Sequence, residues 1–355
     1  MTLCGNTVRA TMMSLACGAA LIGTTTFAHA DLQLSFYGTL DVWAGSHETA
    51  AASDSTLQLA SGGMTTSYIG TSMTYTLSDS LKAIAALESY LRVDTGESTR
   101  YNDDEFFARN AYIGFEGNLG QIKAGRNISP YFIALVMTNP LGSSMVFSPI
   151  FLHSFAAGSG GPAMGDSGWN NSVIYNSPRK AGFAVSAAYA FGERPGENAE
   201  NKVGGHVSYR AGKLVLVAGG HDISEGATLS GGGVGERGAL NGTDQTAAMF
   251  GASYDFGAIR LFGQYQYLDT DIPTGNVEID TYHVGASVPL GRGSLMASYA
   301  RSEYEGDLER ERDTWSLAYN HQLSRQVGLY VALLRDDMDD VGKGHTAGVG
   351  GRFQF

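Results

Sequence analysis

Hydrophobic and polar residues alternate with a period of two along several segments of the chain. In residues 35–44 one face is apolar, with Phe36, Leu40 and Val42, while the opposite face carries Asp41. The same alternation returns over four later segments: 81–92, 259–267, 315–320 and 346–355. Successive side chains of a β-strand point to opposite sides of the sheet. The period therefore predicts strands with one face that accepts charge and one that does not.

Two kinds of connection alternate between these predicted strands. The short ones are rich in the residues of tight turns and fall at 77–80, 116–120, 177–182, 210–213, 255–258, 289–293 and 322–325. The long ones are polar and hold most of the 35 acidic residues; they are 45–66, 93–105, 193–201, 222–244, 269–276, 302–313 and 336–344. Strict alternation of long and short connections is typical of an up-and-down barrel in an outer membrane.

One further long connection, residues 126–169, differs from the others in composition. It has no Lys, Arg, Asp or Glu between 127 and 165, and four prolines interrupt it. A helix of about 20 residues that could span a membrane does not fit between Pro130 and Pro140. A long loop without strand alternation is usually functional. We expect it to fold into the barrel and narrow the pore.

The sequence thus predicts an all-β fold, a transmembrane 16-stranded antiparallel up-and-down β-barrel with an inward-folded third long loop. In lipid a sheet must close on itself, and sixteen strands enclose a water-filled lumen. A secreted β-sandwich is the alternative, but it would have fewer strands and a polar outer face.

The N-terminus predicts export. Residues 1–30 contain one charge, Arg9, then an apolar run and the small-x-small sequence Ala28-His29-Ala30, which is typical of a signal peptide. Residues 31–355 would then form the barrel, without a domain boundary. Both cysteines lie in the signal, so neither disulfides nor Cys-metal sites are expected, and no cofactor is predicted. The net charge of −12 argues against a nucleic-acid partner.

Strand parity selects the candidate pore-lining residues. These are Asp41, Lys82, Glu88, Arg92, Lys123, Arg260 and Arg352, with Arg126 where the chain turns inward. Arg126 is equally well explained as a loop anchor bonded to carbonyl groups. Arg109 has the parity of the lipid-facing side, where a charge is costly unless protein covers it, so we expect it at a subunit interface.

Several short segments, in this order, resemble the trimeric general porins of Gram-negative bacteria, of the β-proteobacterial type. They are Tyr37-Gly38, LKAI at 81–84, RNAYIGF at 109–115, GNLG at 117–120, AGR at 124–126, NSVIY at 171–175 and the terminal Phe355. The resemblance covers the whole mature length. It implies a homotrimer in the outer membrane, an inward third loop, and a Phe355 that the outer-membrane assembly machinery reads.

The chain departs from that family at the constriction. The family sets acidic loop residues against basic residues on the wall, whereas here the loop has no acid before Asp166. Thr39, Tyr68 and residues 168–169 stand where the family has basic residues, and only Arg126 clearly remains. We therefore do not expect the transverse electric field that these opposed charges produce across the constriction in the family.

The expected function is passive diffusion of small hydrophilic solutes and ions, with mild cation preference from the acidic mouth. An apolar loop leaves open a solute-specific porin for aromatic or amphipathic molecules, and the long loops leave open an adhesin or receptor. An enzyme is not expected, because the histidines are scattered and no catalytic motif is present. The acidic loops could bind divalent ions that bridge lipopolysaccharide, but without metal-site spacing a solvated surface is the simpler reading.

Overall fold

The computed structural model describes residues 32–100, 104–155, 166–193, 200–224 and 243–355. The signal peptide expected over 1–30 and the centres of the predicted loops 193–201 and 222–244 lie outside these residues. The strands are β1 (Leu32–Glu48), β2 (Thr56–Ser61), β3 (Tyr68–Ser78), β4 (Leu81–Arg92), β5 (Glu97–Ser98), β6 (Asn110–Gly117), β7 (Gly120–Ile128), β8 (Gly168–Asn176), β9 (Phe183–Ala190), β10 (Lys202–Ala211), β11 (Leu214–Ile223), β12 (Asp244–Asp255), β13 (Arg260–Ile272), β14 (Gly275–Leu290), β15 (Gly293–Gly306), β16 (Arg310–Gln322), β17 (Val327–Met338) and β18 (Gly342–Gln354).

These strands form one closed antiparallel sheet. Strands adjacent in sequence pair with each other, and β1 pairs with both β3 and β18, which closes the ring. The short β2 and β5 add to the long-loop ends of β1 and β4, so sixteen strands make the wall. The predicted 16-stranded antiparallel barrel is confirmed.

The chain terminus completes the closure. Phe355 and Gly38 exchange two backbone hydrogen bonds, with N–O distances of 3.1 and 3.2 Å. The Phe355 ring packs against Phe36 and Phe353, both on the outer face of the wall. The seven predicted tight turns coincide with the short connections of the structure.

Alternation of burial follows the predicted parity. Tyr265, Trp315 and Leu333 are exposed on the outer face, whereas their neighbours Gln266, Thr314 and Leu334 are buried inside. A polar residue is tolerated on the inner face because it meets other polar groups or water there. The outer face is apolar because it meets lipid hydrocarbon.

The prediction that residues 269–276, 302–313 and 336–344 form loops was wrong. The strands continue through them as hairpins, and Ile272 pairs directly with Gly275 at the first tip. Cross-strand pairs stabilise these extensions: the Tyr267 hydroxyl donates to Glu278 at 3.0 Å, and Arg301 lies between Glu311 and Asp313. Acid-rich composition concealed strands whose inner residues, such as Val277 and Ile279, are fully buried.

The described parts of three long connections pack at the lumen side of the wall. We name these connections L1 (residues 49–67), L2 (93–109) and L3 (129–167); residues 101–103 of L2 and 156–165 of L3 lie outside the described residues. L3 contains α1 (Pro130–Met137) and α2 (Pro149–Leu152). Helix α1 begins with a proline whose missing N–H is not needed there, and the Ser129 hydroxyl accepts a hydrogen bond from the Phe132 N–H at 3.2 Å. No helix in the described ranges is long and apolar enough to cross a membrane.

Candidate functional site: the lumen at L3

Helix α1 of L3 packs against the inner face of the wall. Tyr131 and Leu135 are fully buried, and α1 contacts strands β9 to β12. The Tyr131 hydroxyl donates to Gln266 at 2.8 Å, and the Gln264 amide donates to the Leu135 carbonyl at 2.9 Å. The carbonyl of Leu135, near the C-terminal end of α1, thus finds a partner on β13.

The other end of L3 is fixed to β15, β16 and β17. The two ring nitrogens of His153 lie 2.7 Å from Ser302 Oγ and 2.7 Å from Thr314 Oγ1. Arg312 donates to the Leu152 carbonyl at 3.0 Å and pairs with Asp336, and both are buried. Burial, and then the nearby Arg312, lower the pKa of His153 well below its usual value, so this imidazole is neutral.

Glycines on the wall make room for L3. A Cβ on Gly285 of β14 would lie 2.7 Å from Cγ of Pro140, and a Cβ on Gly251 of β12 would meet the Thr138 side chain. A contact this short to a rigid proline ring forces one side to move. The absence of a side chain at Gly285 therefore allows L3 to approach the backbone of the wall.

Four arginines cluster where β4, β7 and L2 meet, and two of them bind the C-terminal end of L3. We name Arg92, Arg100, Arg109 and Arg126 the arginine face. Arg100 of L2 donates to Asp104 and to Asp166, with Nη2–Oδ distances of 2.9 Å each. Arg126 donates to Asp166 at 2.8 Å and to the carbonyl of Ala108. Although burial opposes it, the two guanidiniums hold the pKa of the Asp166 carboxyl below its usual value.

Arg109 completes the arginine face. Its guanidinium pairs with Glu88 and lies over the Tyr68 ring at 3.9 Å. Glu88 also accepts hydrogen bonds from Tyr37 and Asn110. Arg92 pairs with the exposed Glu97 at 2.8 Å and remains partly open to the lumen. The arginines are thus held in position by carboxylates that lie behind them or beside them.

A cavity of about 280 Å³ lies between three residues of the arginine face, Arg92, Arg100 and Arg109, and the middle of L3. Arg92, Arg100, Arg109, Tyr68 and Tyr90 line one side. On the other side are uncharged residues of L3: Phe132, Ser143, Met145, Val146 and Ser167. L1 contributes Ser61, Gly62, Thr65 and Thr66 to the lining, and Asp94 of L2 is the one carboxylate among the described lining residues.

The structure places the predicted pore residues in different surroundings. Asp41 does not line the pore: it is fully buried and accepts hydrogen bonds from the N–H groups of residues 63–65 and from Tyr330. Glu88 is 5% exposed. Both correct the expectation, because parity fixes the side of the wall but not what covers a side chain. Arg126 had been interpreted either as a pore-lining charge or as a loop anchor, and its bonds to Asp166 and to the Ala108 carbonyl are those of an anchor.

The remaining predicted residues lie at or near the lumen. Arg92 and Tyr68 line the cavity. Asp166 is buried between Arg100 and Arg126. Four basic residues lie toward the tight-turn end: Lys82 is 3.9 Å from Glu116, Lys123 lies over the Tyr112 ring, Arg260 donates to Ser253, and Arg352 donates to Thr65.

Strand parity placed Arg109 on the lipid-facing side of the barrel wall, and this prediction was wrong. It precedes the first residue of β6, so strand parity does not apply to it, and its side chain reaches Glu88 on the inner face. This removes the basis for placing Arg109 at a subunit interface.

Sequence reasoning missed Arg100, Arg312, Asp336 and His153. Arg100 and Arg312 lay in stretches taken for solvated loops. Ser316 faces inward, and Arg312 precedes it by four residues on the same strand. Extending the alternation to Arg312 would have identified that residue as inward-facing. No pattern in the sequence pairs Arg312 with Asp336, which is 24 residues away.

Charge is distributed unevenly along the barrel axis. In the described part of the chain, the tight-turn end is mostly basic, with Lys82, Lys123, Arg179, Lys180, Arg210, Lys213, Arg260, Arg292, Arg325 and Arg352 against Asp79, Glu116 and Asp255. The opposite end carries most of the acids. Among the described residues no group of three His, Cys, Asp or Glu side chains could hold a metal ion.

A closed barrel with an apolar outer band, a polar interior and loops folded against its inner wall defines an outer-membrane channel protein. Comparison with known proteins gives the family. Residues 16–341 match the Gram-negative porin family, and the chain belongs to it. It is a porin of the Gram-negative outer membrane, and the porins that it matches are channels rather than enzymes.

The chain is similar to outer membrane porin protein 32 of Delftia acidovorans, with 28% identity over 318 residues, 88% of this chain and 86% of that protein. Its fold resembles an anion-selective porin from Comamonas acidovorans, with a TM-score of 0.75, 24% identity and coverage of 92% and 100%. It also resembles the trimer form of OmpT from Vibrio cholerae, with a TM-score of 0.68, 17% identity and coverage of 91% and 99%.

Proposed function

We propose that this porin passes small hydrophilic solutes and ions by passive diffusion, through the cavity between L3 and the arginine face. The cavity carries the proposal, because it is bounded by a charged wall on one side and by an anchored, uncharged stretch of L3 on the other. L3 acts as the constriction, since it is bonded to the inner wall at β13 through Tyr131 and at β16 through His153.

The channel prefers anions at this constriction. This anion preference replaces the mild cation preference expected from the acidic mouth. The reason is that a permeating ion in a narrow passage responds most strongly to the nearest charges. The charged groups that line the cavity, among the described residues, are the guanidiniums of Arg92, Arg100 and Arg109 and one carboxylate, that of Asp94. The carboxylates of Glu88 and Asp166 are buried behind them.

The protein assembles as a homotrimer. The resemblance to trimeric porins supports this, and so do apolar side chains on L1 and L2 that a monomer leaves exposed. Leu57 is 85% exposed, and Leu59, Phe106 and Phe107 are exposed as well. The terminal Phe355, whose backbone closes the ring, is the signal for the outer-membrane assembly machinery. Lipopolysaccharide would contact the outer face near the long loops.

Single-channel recording of the refolded mature protein, with a KCl gradient across the bilayer, tests this function. Conductance in steps of three and a reversal potential with the sign of an anion-selective pore are expected. A cation-selective potential would contradict the assigned selectivity. Folded protein that never conducts would contradict the channel itself and favour a receptor or adhesin barrel.

A further inference from the structure

The cavity between L1, L2 and L3 has two chemically different sides, one cationic and aromatic, the other apolar. We infer that it is a binding site for aromatic monocarboxylates, molecules of one ring and one carboxylate, as they pass through the pore. The inference rests on the proposed channel function and adds the class of solute that the constriction selects.

The arginine face supplies the carboxylate end of this site. Guanidinium groups present planar pairs of N–H donors that match a carboxylate. Arg92, Arg100 and Arg109 line the cavity, and their ion pairs with Glu97, Asp104 and Glu88 fix their positions. Because these carboxylates already neutralise much of the charge, binding is weak enough for the solute to leave again.

The ring end is formed by aromatic and apolar side chains. The guanidinium of Arg109 lies 3.9 Å from the centre of the Tyr68 ring, and that of Arg100 lies 4.7 Å from the centre of the Tyr90 ring. Planar guanidinium and tyrosine groups are good surfaces for a further ring. Across the cavity, Phe132, Met145 and Val146 offer an apolar wall, and the Met145 thioether packs well against aromatic edges.

The composition of L3 excludes related classes of solute. The residues of L3 that line the far side of the cavity carry no Lys or Arg, so this side offers no partner for a second carboxylate. These residues carry no Asp or Glu either, so an aromatic amine would meet three guanidiniums against one carboxylate, Asp94, among the described lining residues. The volume of about 280 Å³ lies just below the range of roughly 300–1,000 Å³ for drug-sized ligands, which favours a single ring.

Blockade of the chloride current by added solutes tests the inference. Benzoate is expected to interrupt the current of single channels, with a dissociation constant roughly tenfold lower than that of acetate, since only benzoate uses the aromatic side. Phthalate is expected to bind no better than benzoate, and benzylammonium is expected not to block.

Two variants assign the effect to the cavity. Tyr68→Leu is expected to weaken block by benzoate while leaving block by acetate unchanged. Met145→Glu adds a carboxylate opposite the arginines and is expected to abolish block by benzoate. Arg325→Gln, on an exposed turn far from the cavity, is the matched control and should bind benzoate as the wild type does.

The outcomes separate this inference from the proposed function. A channel that conducts but is blocked equally by acetate and benzoate, or whose benzoate block survives Met145→Glu, would overturn the inference and leave the porin intact. Folded protein without any conductance would overturn the proposed function and the inference together.

Discussion

Arg312 and Asp336 form a two-point ion pair on neighbouring strands directly behind L3, with Nε–Oδ1 at 2.9 Å and Nη2–Oδ2 at 2.8 Å. A third donor of Arg312 reaches the Leu152 carbonyl at 3.0 Å. The pair is fully enclosed and has the geometry in which an arginine and a carboxylate bind most strongly. It therefore links the position of L3 to the wall behind it.

Asp336→Asn is expected to destabilise the protein strongly. The substitution leaves the Arg312 guanidinium buried without its counter-charge, and breaking such a pair costs about 3–5 kcal/mol. The measurement is thermal unfolding in detergent followed by circular dichroism. Asp337→Asn is the matched control, because Asp337 pairs with the exposed Lys343 and its loss costs roughly 1 kcal/mol or less. Equal unfolding temperatures for the two variants would refute the role of the buried pair.

Gly285→Ala is expected to displace L3. The added Cβ would lie 2.7 Å from Pro140 Cγ, and overpacking of this kind costs about 1–3 kcal/mol. Open-channel noise and the frequency of closures should both rise in single-channel records. Gly263→Ala is the control on the next strand, because the nearest atom to its Cβ is 3.9 Å away. If the Gly285 variant is as quiet as the Gly263 variant, L3 does not rest on this part of the wall.

Anchoring of L3 is expected to weaken in acid through His153. Burial lowers the pKa of His153 well below the value of about 6.5 for an exposed histidine, and Arg312 and His283 lower it further while Asp336 opposes them. A released L3 would take up a proton near pH 6.5. The anchoring free energy is therefore complete above about pH 6.5 and falls by up to about 1.4 kcal/mol per pH unit below it.

The measurement is the frequency of closures as a function of pH in the wild type and in His153→Gln. The difference between the two isolates His153 from the other titrating groups. The wild type should show more closures from pH 6.5 to pH 5, and the variant should lack this component. A wild-type rise that the variant reproduces in full would assign the pH dependence to other groups.

The uneven axial charge is expected to make the current depend on the sign of the voltage. With the long-loop side positive, cations enter through the acidic end and anions through the basic end, so both accumulate in the pore and the current is larger. The ratio of currents at opposite voltages should exceed one at about 0.1 M salt, where screening extends about 10 Å, and approach one at about 1 M. Channels inserted from one side provide a defined orientation.

The charge-reversed variant Arg210→Glu/Lys213→Glu lowers the basic charge at the tight turn between β10 and β11. The current ratio should fall in this variant. A linear current–voltage relation of the wild type at low salt would contradict the axial asymmetry.

The sequence predicted the wall well and the lumen poorly, for a physical reason. Alternation reports which side of a strand meets lipid, so residues such as Leu333 and Gln266 were assignable, and turn residues marked the short connections. Some strands extend beyond the membrane, as β14 and β15 do where Val277 pairs with Gly306. These extensions carry acids on their outer face, so their composition resembled that of loops.

The contacts inside the lumen depend on how loops return to the wall. Asp41 holds the backbone of L1, and Arg109 turns toward Glu88 although parity placed it outside. These contacts join residues far apart in sequence, and neither periodicity nor composition records them. The uncharged composition of L3 was apparent from the sequence. Of the four arginines near it, Arg100 was missed and Arg109 was assigned to the outer face.

The central claim is that solutes pass between L3 and the arginine face, and modification of a single cysteine tests it most directly. The mature chain expected here lacks cysteine, so Met145→Cys introduces one thiol into the cavity wall. Reaction with an anionic methanethiosulfonate should lower the conductance of each channel in a discrete step. Gln326→Cys, on the exposed turn between β16 and β17, should react without changing the conductance. Complete modification of Met145→Cys with an unchanged current would contradict the account.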